Sequence, residues 1–276
     1  MCLLRNKVFC LLFLVPAAVF AQTNCDEGAG PLNPAQPAGI TPEEIIQKFS
    51  AQESYFKQEL AHYSYSRDIK VETLDGNTVS GEFRQISNIR WDSGKMMEYV
   101  TFAPQSTLRG ISMSKEDFDD INRSPFVLTA EDLQQYNLLY DGQQKVDELE
   151  TYVFEVAPKK IEKEKRYFQG KVWVEKTELQ IVKSCGKSVP DSIVQPSQTV
   201  KKKKKKRGDD EENISPTVVT YREQIEGKYW FPTYVRSDEV IHFAFNDARI
   251  REIIKYTDYR RAESTEPAVL SARPGK

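Results

Sequence analysis

From Tyr63 onward, apolar residues recur at every second position over most of the remaining chain, a period that commits it to a sheet with two unlike faces. Tyr63, Tyr65, Ile69 and Val71 share one parity, and a turn at Asp75-Gly76-Asn77 leads into Val79, Gly81 and Phe83. A second turn at Ser93-Gly94-Lys95 joins the segment ending in Trp91 to one carrying Met97, Tyr99 and Thr101. Turns this short join antiparallel neighbours, so the first strands form a meander. Further strands are expected at 152–156, 168–175, 180–184, 218–225, 229–235, 239–244 and 250–259.

Ahead of the strands the period is 3.6. Thr41, Pro42 and Glu44 spell a capping box with proline in the first turn, and Ile45, Phe49, Phe56 and Leu60 follow at helical spacing. One amphipathic helix is expected over 41–62. Ser114 and Thr129, each followed by acids, start two short helices at 114–122 and 129–136, too short to stand without a sheet beneath them. The fold class is α+β: a highly curved antiparallel sheet around a long N-terminal helix and short lid helices.

With 276 residues, 39% of them hydrophobic, the chain can build one large core, placed here at 41–262. Its formal charge of −2 gives no global pull toward nucleic acid, and two histidines are a poor stock for metal or acid–base chemistry. Arg5 and Lys7, the apolar run 8–20 and Val19-Phe20-Ala21 read as an export leader cleaved after Ala21, placing the mature chain in the periplasm or outside the cell. Cys25 and Cys185 remain; they either pair or stay as two thiols, and the sequence leaves both open. Residues 22–40, rich in proline and glycine, read as a flexible linker, and residues from 263 as a loose tail.

Between Cys185 and Pro216 lies an insertion, about 187–215, with like charges and few apolar anchors, which reads as a disordered loop. Its basic run, Lys201, Lys202, Lys203, Lys204, Lys205, Lys206 and Arg207, is a candidate contact for an anionic membrane surface. Nucleic acid is a poor fit, since no aromatics are interleaved for base stacking.

No nucleophile elbow, zinc-helix motif, phosphate loop or Cys-x-x-Cys pair is present. Asp117, Asp119 and Asp120 suit a helix first turn, and His62 and His242 suit a helix end and a strand, so no catalytic residue and no cofactor is assigned. What remains is aromatic weight on the strands. Phe83, Trp91, Tyr99 and Phe102 in the first meander, with Phe154, Trp173, Trp230 and Phe243 later, are candidates to line an apolar groove on the concave face.

Tyr152-Val-Phe-Glu-Val-Ala-Pro-Lys, Phe168-Gln-Gly-Lys-Val-Trp-Val-Glu, Ile181-Val-Lys and Tyr221-Arg-Glu-Gln-Ile-Glu-Gly-Lys-Tyr-Trp-Phe-Pro-Thr, in that order, resemble the LolA/LolB superfamily of outer-membrane lipoprotein-sorting proteins. The resemblance covers about 150–262 and implies an incomplete antiparallel barrel whose inner surface holds acyl chains, hence a monomeric, non-catalytic carrier or binding protein for a lipid or lipidated protein. The alternative it implies is an envelope-stress sensor of the RseB type. The carriers' strand arginine has Arg84 and Arg90 nearby, neither in register. Within these motifs Gly170 reads as a close backbone approach, Gly227 as a hairpin turn and Pro232 as the end of pairing at an edge.

Overall fold

The computed structural model describes residues 23–92, 94–123, 126–162, 164–190, 215–242 and 247–262. The leader, the basic run 201–207, Phe243 and the tail from 263 lie outside the described residues. Among those described, no helix is long and apolar enough to cross a membrane.

Helix α1 (Pro42–Leu60) begins at Thr41, whose hydroxyl accepts from the Glu44 N–H while the Glu44 carboxylate accepts from the Thr41 N–H. Strands β1 (Tyr63–Asp75), β2 (Thr78–Asp92) and β3 (Lys95–Phe102) follow, then α2 (Lys115–Arg123) and a single 3-10 turn (Asp132–Gln135). The chain continues with β4 (Tyr136–Val146), β5 (Leu149–Pro158), β6 (Tyr167–Glu175), β7 (Ile181–Val189), β8 (Val218–Ile225), β9 (Tyr229–His242) and β10 (Asp247–Arg261). All ten form one sheet in the order β3-β2-β1-β10-β9-β8-β7-β6-β5-β4, with β3 and β4 as its two edges. The meander joins the rest through β1 and β10, where Arg67 faces Tyr256, Ile69 faces Ile254 and Val71 faces Glu252.

Several expectations need correction. The second short helix shrinks to the 3-10 turn: the Thr129 hydroxyl donates to the Asp132 carboxylate at 2.7 Å as a start signal should, but at Tyr136 the chain already joins the sheet as β4, a strand the alternation reading missed. The strands expected at 229–235 and 239–244 are one strand, since β10 pairs with it from Tyr234 to His242 without a break. Pro232 does not end pairing: it sits inside β9 opposite Arg222, beside a register shift at Tyr221/Arg222 that accommodates a residue with no N–H to donate. Gly170 does mark a close approach. It faces Gly186, and a Cβ there would lie 2.1 Å from the Cys185 carbonyl oxygen.

Residues 23–40 are not the loose linker their composition suggests. Ala29 bridges to Val146 and Asn33 to Gln143 along the β4 edge, and Cys25 is disulfide-bonded to Cys185. The sheet face turned away from the helices carries Val153, Trp173, Val182 and Val219, an apolar patch that requires cover, and Cys25 and Ala29 supply part of it. Lys183 is buried under this strap, its Nζ 4.6 Å from the Trp173 ring centroid and 2.8 Å from the Glu27 carbonyl it donates to; burial lowers its pKa to about 8.

Candidate binding site

The helix-covered face has two differently built halves. Over β4–β8, α1 inserts Ile45 and Phe49 among Phe154, Val156, Val172 and Ile181; nearer its C-terminus Phe56 reaches β9, packing on Phe231 with ring centroids 5.4 Å apart. Between these apolar contacts Glu53 meets Arg222 in a two-pronged ion pair at 2.9–3.1 Å, with both side chains buried. Burial pushes the Glu53 carboxyl up and the Arg222 charge opposes it. Arg222 also donates to the Phe126 carbonyl, tying the segment after α2 to α1.

Over β1, β2, β10 and β9 the cover is the nine-residue α2 with the stretch before it. Phe118 and Ile121 of α2, with Leu108 and Met113, rest on Ile69, Val71, Phe83, Val235 and Ile254. Two buried arginines fasten α2. Arg67, whose side chain is 2% exposed, donates to Asn122 and, at 2.8 Å, to Glu98; Arg166 donates to Asp120 at 2.9 Å. Burial works to raise the Glu98 carboxyl, but hydrogen bonds from Ser87 and Arg67 together with the Arg67 charge leave it below the ordinary range. Arg67 Nε, the Tyr256 hydroxyl, Glu252 Oε1 and Trp91 Nε1 are buried on this half without a hydrogen-bond partner among the described residues. Burial, reinforced by Asp117 and Asp120 on α2, pushes Glu252 up to about 7.

Where α1, α2, the start of β6 and the end of β7 meet lies a cavity of ≈ 340 Å³. Phe126, Tyr136, Tyr167 and Phe168 give it an aromatic wall, with Phe126 stacked on Phe168 at 4.1 Å. Lys57, Arg123, Arg166 and Lys187 reach it from α1, α2, the turn before β6, and β7.

The eight candidate aromatics do not form one groove. Phe83 meets Phe118 of α2 at 5.8 Å, Trp91 shares that half, and Phe154 is sealed under α1. Trp173, beneath the strap, and Trp230, whose Nε1–H donates to Glu178 at 2.8 Å, lie on the opposite face. Tyr99 and Phe102, 53% and 47% exposed, also point away from the helices, with Arg90 and Arg84 over their rings. Phe243 lies outside the described residues. His62 is exposed after α1, and His242 contacts Asp247 at 2.9 Å on the surface. Arg67, Arg166 and Glu252 were missed, although Arg67 and Glu252 carried a signal: each is a charge on the apolar parity of its strand, between Tyr65 and Ile69 and between Ile250 and Ile254. Arg84 and Arg90 occupy the opposite parity.

No family model matches the chain, and no curated protein does. Among solved structures it is similar to a LolA superfamily protein from Nitrosomonas europaea, at 12% identity over 78% of this chain and 94% of that one, with a TM-score of 0.35. A Vibrio parahaemolyticus domain described as outer-membrane lipoprotein-sorting matches at 11% identity over 79% and 94%, with a TM-score of 0.37. The MucA/MucB complex of Pseudomonas aeruginosa matches at 9% over 77% and 99%, with a TM-score of 0.20. Likeness at this level reaches the fold at most, so what the chain holds has to be read from its own side chains.

Proposed function

We propose that this protein is a monomeric, non-catalytic carrier or binding protein of the periplasm that holds the acyl chain of a lipid or lipidated protein between α2 and the β1–β10 half of the sheet. The observation that carries this reading is the unequal cover: an apolar floor of Ile69, Val71, Val235 and Ile254 lies under a helix of nine residues. Such a helix is not stable alone. It stays down through its contacts with Arg67, Arg166 and the floor, so a ligand that replaces the apolar contacts can take its place. A buried acyl chain contributes ~0.8 kcal/mol per methylene, so ten methylenes supply ~8 kcal/mol before ordering costs, enough for micromolar affinity.

Native mass spectrometry of protein purified without detergent tests the reading. A copurifying lipid, displaced by a fluorescent fatty acid, is the expected result; a ligand-free protein that takes up no fatty acid overturns it. A regulatory module that binds a partner chain is the second reading, favoured by the β3 edge, where Met97, Tyr99, Val100 and Phe102 are exposed beside unpaired backbone. A pull-down that returns a membrane-bound regulator, and loses it when Val100 is changed to Pro, would put this reading first.

A further inference from the structure

We propose that the cavity between α1, α2, the start of β6 and the end of β7 binds the phosphate head of an anionic amphiphile, an inference that rests on the carrier reading above and names the class of its ligand. Four cationic side chains from separate elements border the cavity, and the nearby carboxylates are already engaged. Asp132 accepts from the Thr129 N–H and hydroxyl, and Asp120 is shared by Arg123 at 2.7 Å and Arg166 at 2.9 Å. Lys187 shares its charge with Glu239, whereas Lys57 makes no ion pair among the described residues. Among the described residues these four cations stand against three carboxylates, Asp120, Asp132 and Glu239, a small positive excess next to an aromatic wall.

Lys57 and Arg123 each stand in the last turn of a helix, where a cation also answers the helix dipole. Arg166 has no such role. Its side chain is 6% exposed, its Nη atoms are held by Asp120, Ser215 and the Pro190 carbonyl, and its Nε is buried with no partner among the described residues. The Nε is sealed from solvent, so what Arg166 brings to the cavity wall is the positive charge of its guanidinium, held in place by those three partners. Donors converging from several elements outnumber the two oxygens of a carboxylate and suit the three terminal oxygens of a phosphate monoester. At ≈ 340 Å³ the cavity is near the lower end of the ~300–1,000 Å³ range of small-molecule sites, room for a head group and the start of a chain.

The test is calorimetric titration of the mature protein with dihexanoylphosphatidic acid, dihexanoylphosphatidylcholine and inorganic phosphate at low salt. The phosphatidic acid should bind about tenfold tighter than the phosphatidylcholine, with the gap narrowing at about 0.5 M salt. The Lys57→Gln/Arg123→Gln double variant, at largely exposed positions, should bind both lipids alike; Arg166→Gln should do the same, provided its melting curve shows it folded. Equal affinities in the unaltered protein, or a gap that survives the double variant, would overturn the head-group site while leaving the carrier reading in place. Inorganic phosphate binding as tightly as phosphatidic acid overturns the amphiphile and leaves a free phosphate as the ligand. If neither lipid binds, the carrier reading falls and this inference with it.

Discussion

The two halves of the helix-covered face solve the same burial problem in opposite ways. Over β4–β8, α1 locks into the sheet through Ile45, Phe49 and Glu53, the strap seals the reverse side, and a disulfide closes the arrangement. Over β1, β2 and β10 the cover is a nine-residue helix resting on apolar side chains and tied down by Arg67 and Arg166, and the reverse side is a lattice of ion pairs joining Arg84 to Asp68, Lys70 to Glu72, and Arg249 and Arg251 to Asp238. Of these side chains only Arg84 is exposed, and the others are half-buried or, for Glu72, buried; ion pairs at a surface contribute about 0–1 kcal/mol each. On the carrier reading the second half is the one that opens, since its cover is nine residues long while the first half is closed on both faces.

The sharpest way to break this contrast is in the locked half. Changing Glu53 to Ala leaves the Arg222 charge buried and unpaired, and should lower unfolding free energy by about 3–5 kcal/mol in urea titration. An unchanged midpoint would mean that α1 does not anchor the fold. Next in size is the strap. Replacing both cysteines by Ser should cost about 2–4 kcal/mol, since the crosslink joins residues 160 apart, and limited proteolysis should then cut within 23–36; a strap that still resists protease would refute its dependence on the disulfide.

In the openable half the expected effect is pH dependence. Glu252 is raised in the folded state to about 7, so the folded protein holds a proton that the unfolded chain has released. Its contribution is full below about pH 4.5 and is lost as pH rises through about 7, a change of at most about 3 kcal/mol. Chemical denaturation across that interval should show stability falling with rising pH, and Glu252→Gln should flatten the fall; an equal slope in both proteins would refute the assignment. The smallest effect belongs to Asn122→Ala, which removes one Arg67 contact: about 1 kcal/mol in global stability, with faster hydrogen exchange confined to α2. Faster exchange in α1 as well would show that the halves are coupled.

Much of the architecture was legible because it follows from local rules. The capping box at Thr41, the Asp75-Gly76-Asn77 turn and the period-two alternation each act within a few residues. β4 escaped notice because Gly142, Gln143 and Gln144 dilute its alternation, and its inward residues are identified by α1, more than seventy positions earlier in the chain. The strap escaped because composition measures a segment's own apolar content, while residues 23–40 borrow order from the β4 edge and from Cys185. For the site, aromatic residues were a blunt guide, since Trp173 and Phe154 are alike in type yet face opposite ways. Charges on an apolar parity, Arg67 and Glu252, were the better sign.

The junction of β1 with β10 also sets the order in which the molecule can be completed. β1, β2 and β3 emerge first during synthesis, yet β1 has no partner besides β2 until residues 247–261 arrive at the other end of the chain. β4–β8 can pair with sequence neighbours long before that. Contacts of such high sequence separation are slow to form, so the meander waits as an open-edged sheet, exposed to wrong pairing, for as long as the last strand is missing. A chain truncated before residue 247 should therefore aggregate through residues 63–102.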